Sequence, residues 1–144
     1  MKMKKRDDCI FCKIVAGEIP CSKVYEDEHV LAFLDIFPIN PGHTLVIPKE
    51  HYEFVVELPS SLTGPIFDTA RKIVSAIQKS DLKCDAVNLH LADGQVAGQE
   101  IPHVHLHIIP RIKGDGAGYK FPGGRQKPES SELEKVAKSI KMSF

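Results

Sequence analysis

Hydrophobic and polar positions change period several times along the chain, and each change predicts an element. Ile10-Phe11-Cys12-Lys13-Ile14-Val15 is a short apolar stretch running to Gly17, which reads as a small helix stopped by a glycine. Lys23-Val24-Tyr25-Glu26 and Val30-Leu31-Ala32-Phe33-Leu34-Asp35 flank Asp27-Glu28 and predict two strands around a turn. Pro38-Ile39-Asn40-Pro41-Gly42 breaks the chain, and His43 to Pro48 predicts a third strand ended by its proline. From Ser61 to Lys79 the period lengthens. Ile66, Ala70, Ile73 and Ile77 form one helical stripe with Phe67 and Val74 beside it, while Arg71, Lys72 and Lys79 lie elsewhere. Asp85 to Leu91 alternates and predicts a fourth strand; His103 to Ile109 predicts a fifth after the loop Ala92 to Pro102. Beyond Arg111 the chain turns to Gly, Lys and Pro, a loose connection over 112–128. Leu133, Val136, Ala137 and Ile140 then give a short amphipathic helix over 129–141, with Ser131 and Glu134 spaced as a capping box. Strands grouped around one good helix predict an α+β fold with a mostly antiparallel, five-stranded sheet.

Composition narrows the function more by exclusion than by suggestion. The 144 residues suit one domain over 1–144, with its core in 9–111, that buries a core without disulfides. Lys+Arg and Asp+Glu number 19 each, so no global field favours nucleic acid or an anionic membrane as a partner. Any phosphate site must be local. No apolar run approaches the ~20 residues needed to span a bilayer. The basic start Met1 to Arg6 runs into Asp7 and Asp8, where a signal peptide would turn apolar, so a cytoplasmic location is expected. In a reducing compartment Cys9, Cys12, Cys21 and Cys84 are candidates for metal binding or simple burial.

His103, His105 and His107 share one face of the fifth predicted strand, with Val104, Leu106 and Ile108 on the other. Three imidazoles at period two on the wetter face point to a site rather than to packing. At ~3.3–3.4 Å per residue the outer pair stands ~13 Å apart at the backbone, too far to share one ion with nitrogens ~2.0–2.1 Å from it. One metal can take two of the three. Phosphoryl chemistry is the other reading: a neutral imidazole is a competent nucleophile near neutral pH, and a neighbour supplies charge or a proton. The glycine-bearing loop from Gly94 to Gln99 runs into the strand where backbone N–H groups can approach a phosphate.

His103-Val104-His105-Leu106-His107-Ile108-Ile109 resembles the signature of the histidine triad family. The likeness continues through Cys9 to Ile14, Glu18-Ile19-Pro20, Ala32 to Ile36, Pro41 to Lys49 and Ala97 to Glu100, covering roughly Cys9 to Arg111. The resemblance implies the α+β fold of that family, a homodimer whose sheets join, and cleavage of nucleoside 5′-phosphoramidates or dinucleoside polyphosphates at the α-phosphorus. It implies His105 as nucleophile, His107 and the backbone of Gly98, Gln99 and Glu100 around the phosphate, and His43 in the imidazole network behind. Asp35 is then the ribose acceptor, and Ile10, Phe11, Ile14, Phe33 and Ile36 line a purine pocket. Ala92 stands where many relatives place Asn or Gln, which leaves the substrate within this class open. His29 and His90 match no functional position and read as surface or structural.

By the same resemblance Cys9, Cys12, His51 and His103 are a Cys₂His₂ set for structural zinc. No organic cofactor is expected. Cys21 and Cys84 match no ligand position and read as buried or incidental. Two other classes compete with this reading: a nucleotidyltransferase, against which His107 argues because related transferases carry Gln there, and a purine-nucleotide-binding regulator with negligible turnover.

Overall fold

The computed structural model describes residues 4–117 and 125–144. Its helices are α1 (Ile10–Val15), α2 (Ser60–Lys79) and α3 (Ser130–Lys141), and its strands β1 (Lys23–Glu26), β2 (Val30–Leu34), β3 (Thr44–Pro48), β4 (Ala86–His90) and β5 (Leu106–Arg111). The strands form one sheet in the order β1-β2-β3-β5-β4, every neighbouring pair antiparallel. This is the expected α+β architecture.

β2 and β3 are buried along their whole length, so their alternate residues serve two cores. Val30, Ala32, Leu34 and Val46, with Leu106 and Ile108, meet the predicted stripe of α2 and the apolar face of α3. Each fully buried Ile on that stripe is worth about 1.5–3 kcal/mol of transfer free energy. Leu31, Phe33, Leu45 and Ile47 face the other way and pack on Phe11, Cys12 and the preceding Cys9. The second face carries the site. Asp27 shapes the predicted turn between β1 and β2, its Oδ1 accepting from the N–H groups of His29 and Val30. Gly17, at φ +80°, ends α1 as the pattern predicts, its N–H donating to the Ile14 carbonyl.

Four expectations need correction. β5 begins at Leu106 rather than His103, so His103 and His105 precede the strand. Pro102 has no N–H to offer a ladder, and the next two amides are spent elsewhere: His103 N–H on the Ile101 carbonyl, Val104 N–H on that of Tyr52. The face these histidines share is also not wet, because all three are buried. The capping box is absent too. α3 starts after Glu129, whose side chain makes no capping bond while its carbonyl accepts from Glu132 and Leu133, so Ser131 lies inside the helix. Finally, the connection after Arg111 begins tightly. Asp115 accepts from the Arg111 guanidinium, Asn40 and the amides of Ile112 and Ala117, which holds its carboxyl far below the usual range. The stretch 118–124 of that connection lies outside the described residues.

Candidate active site and metal centre

Sheet register assembles the first half of the site. Phe33 of β2 pairs with Leu45 of β3, Leu45 with His107 of β5, and His107 with His90 of β4. The row runs across the sheet on the α1 side. His105 enters beside it, its ring centroid 5.0 Å from that of His107. Phe11 reaches down from α1 and meets Phe33, His105 and His103 edge-on at 5.4, 5.3 and 5.8 Å. Its ring thus touches both His105 and His103.

Backbone groups fix the protons of His43 and His105, and His43 in turn fixes that of His107. The Ile39 N–H donates to Nδ1 of His43 at 3.0 Å, so the His43 proton is on Nε2, which donates to Nδ1 of His107 at 2.9 Å. That leaves the His107 proton on Nε2. Burial holds both rings neutral, lowering the pKa of His43 to about 3 and that of His107 to about 2. His43 lies 3.5 Å from the Asp35 carboxylate, yet a neutral ring makes this a polar contact and not an ion pair. His105 donates from Nδ1 to the His103 carbonyl at 2.7 Å, so its Nε2 keeps a lone pair. Burial pushes its pKa down as well. A neutral imidazole with one lone pair presented is chemically a nucleophile.

His105 and His107 open on a cavity of about 290 Å³. Its apolar wall includes Ile10, Phe11, Ile14, Phe33 and Ile36, and its polar lining includes Asp35, Gly98 and Glu100. Asp35 serves two ends: Oδ1 accepts from the Phe37 N–H two residues on, a local turn, while its carboxyl still lines the cavity. Desolvation raises its pKa. The structure places Gln99 differently from its neighbours. Its side chain accepts from the Gly94 N–H and donates to the Glu53 carbonyl, so it closes the loop from below. Gly98, at φ +98°, takes a conformation that favours glycine. The Gly98 and Gln99 amides are spent on the carbonyls of Gln95 and Gly94.

Sequence reasoning missed two residues. His90 is half-buried, with its ring 5.6 Å from that of His107; only strand register, which the alternation does not contain, brings it there. Arg125 lines the cavity from the segment before α3, and no local pattern marks it. Cys21 also lines the cavity, whereas Cys84 donates to the Ala86 carbonyl far from it.

His103 belongs to a second cluster. Ligand atoms of Cys9, Cys12, His51 and His103 all lie within 4.8 Å of one another, and all four residues are buried. Nε2 of His103 donates to the Pro48 carbonyl at 2.8 Å, which turns the Nδ1 lone pair to the sulfurs of Cys9 and Cys12 at 3.4 and 3.6 Å. Nδ1 of His51 is 3.3 Å from the Cys12 sulfur. These separations approximate the edges of a tetrahedron with Zn–S near 2.3 Å and Zn–N near 2.0–2.1 Å. Backbone amides of Cys12 and Arg6 point at the two sulfurs, an arrangement that stabilises thiolates. Without a cation, burial drives the Cys12 thiol up to about 11; a bound metal would reverse that preference. Asp35, His43 and His107 also group closely, but the Ile39 amide keeps a proton on the nitrogen of His43 that would have to bind. The first cluster suits a metal and the second does not.

A HIT domain match spans residues 16–114. The chain belongs to the HIT family. It is 52% identical over 133 residues to an uncharacterized HIT-like protein of Methanocaldococcus jannaschii, covering 92% of this chain and 98% of that one. It is 40% identical over 136 residues to an adenosine 5′-monophosphoramidase of Schizosaccharomyces pombe, covering 92% and 98%. Its fold superposes with a TM-score of 0.83 on a zinc-bound histidine triad family protein of Mycobacterium smegmatis, at 34% identity over 94% of this chain and 92% of that one. Among the described residues of this HIT protein no helix is long and apolar enough to cross a membrane.

Proposed function

We propose that this HIT protein hydrolyses nucleotides carrying a leaving group on the α-phosphorus, a nucleoside 5′-phosphoramidate or a dinucleoside polyphosphate, through a nucleotidyl intermediate on His105. The observation that carries the reading is the hydrogen bond from His105 Nδ1 to the His103 carbonyl, which keeps the Nε2 lone pair available. Nε2 attacks phosphorus, the P–N or P–O bond breaks, and the leaving group departs with that electron pair, an amine leaving group taking up a proton from solvent. Water then attacks phosphorus, losing a proton to solvent, and the N–P bond electrons return to His105 as the nucleoside monophosphate leaves. The His107 Nε2–H and the Glu100 amide are the donors to the phosphoryl oxygens. Asp35 accepts from the ribose hydroxyls, and the apolar wall receives the base. The S. pombe relative's activity on an adenosine phosphoramidate supports the substrate class.

The Cys9, Cys12, His51 and His103 cluster holds structural zinc in this reading, supported by the fit of its donors and by the zinc-bound M. smegmatis relative. Its chemistry is mechanical: it fixes His103, whose carbonyl orients His105.

Adenosine 5′-phosphoramidate and diadenosine tetraphosphate, incubated separately with the protein, test the proposal. AMP release from at least one is expected, with kcat/KM falling on the order of a thousandfold or more in His105→Ala. Release of AMP from neither, or an undiminished His105→Ala, refutes it.

A further inference from the structure

The cavity's own charge opposes the guest proposed for it. Asp35 and Glu100 line it, and burial keeps His43 and His107 neutral. The substrate's α-phosphoryl group is an anion, and the released nucleoside monophosphate brings about −1.5 to −2 charges at neutral pH. Among the described residues lining the cavity, Arg125 alone carries a fixed positive charge.

Its position suits an anion at the reacting centre. Arg125 lines the cavity together with Asp35, His105 and His107, and its Nη1 is removed from solvent. Its field acts on Asp35, His43 and His107 together, in keeping with its place on the same cavity lining. The segment that carries it is anchored. Pro128, three residues on, and Leu133 of α3 line a small hollow with Asp35 and His43, so the start of α3 holds the backbone near the imidazole network. A guanidinium is a planar fork of donors that matches phosphoryl oxygens.

We propose that Arg125 binds the phosphoryl oxygens of the substrate, so that the site selects a nucleoside monophosphate group over the bare nucleoside. The inference rests on the nucleotide reading above and adds to it a binding residue from the C-terminal segment. The His107 and Glu100 donors are dipoles, and Arg125 supplies the one full positive charge set against the two carboxylates and the phosphate.

Isothermal titration calorimetry with AMP and with adenosine, on the parent chain, Arg125→Gln and Arg125→Lys, tests it. Arg125→Gln is expected to weaken AMP binding about tenfold or more and to change adenosine binding less than twofold, while Arg125→Lys, which keeps the charge but not the fork, restores AMP binding in part. Unchanged AMP affinity overturns the inference, and so does an equal loss for AMP and adenosine, which would make Arg125 a packing or Asp35-pairing residue. Both results leave the nucleotide reading standing. A parent chain that binds neither compound overturns that reading and this inference together.

Discussion

The Ile39 amide lies 3.0 Å from Nδ1 of His43, and its influence reaches the reacting face two imidazoles away. By keeping Nδ1 an acceptor it directs the His43 proton to His107, and the His107 proton to the cavity. The arrangement needs neutral rings, so it makes the fold sensitive to acid. His43 ionises in the unfolded chain near 6.5 but only near 3 when folded. Between those values the unfolded state binds more protons. The stability contribution is therefore full above pH 6.5 and is lost as pH falls towards 3. By pH 5 the loss from His43 alone is about 2 kcal/mol, at 1.36 kcal/mol per pKa unit. Urea unfolding at pH 7 and pH 5 should show the parent losing about that much more stability than His43→Gln. Equal losses in the two proteins would mean that His43 does not titrate as its burial requires.

At the scale of elements, α1 has six residues, too few to hold a helix in water without tertiary support. It nevertheless places Ile10, Phe11 and Ile14 on the cavity wall. The Cys₂His₂ cluster supplies that support, tying Cys9 and Cys12 to residues from beyond β3 and before β5. Chelation by a strong zinc chelator should lower the melting temperature by roughly 10 °C if metal stands well above its Kd, and Cys12→Ser should melt low with or without chelator. A Cys12→Ser protein as stable as the parent would show that the cluster is only a packed core. The elements themselves were largely legible: β1 and α1 fall where the pattern puts them, and α2 begins one residue early. Boundaries failed where a local rule met a competitor for the same backbone groups, tertiary in one case and local in another. The alternation through His103 to His107 is that of a strand, but Tyr52 takes the Val104 amide. Ser131 and Glu134 have capping spacing, but the Glu129 carbonyl starts the helix first.

At the scale of the whole molecule, the site is a row across four strands, closed by α1 on one side and by the approach to α3 on the other. Motif residues were legible because their chemistry and spacing are distinctive: the structure gathers His105, His107 and Asp35 at one cavity, His43 behind His107, and the four metal candidates at one point. His90 and Arg125 were not, since one reaches the site through cross-strand register and the other from far along the chain. Gln99 was legible as a loop residue, but its inward turn depends on the Glu53 carbonyl, which no local pattern indicates. In the proposed reaction a neutral His105 turns its Nε2 lone pair to the phosphorus. Rapid quenching of a single turnover of adenosine 5′-phosphoramidate into alkaline denaturant, followed by peptide mass spectrometry, tests that claim most directly. The account predicts a transient AMP adduct on His105 that forms before free AMP appears. AMP release with no adduct, or an adduct on His107 instead, would contradict it.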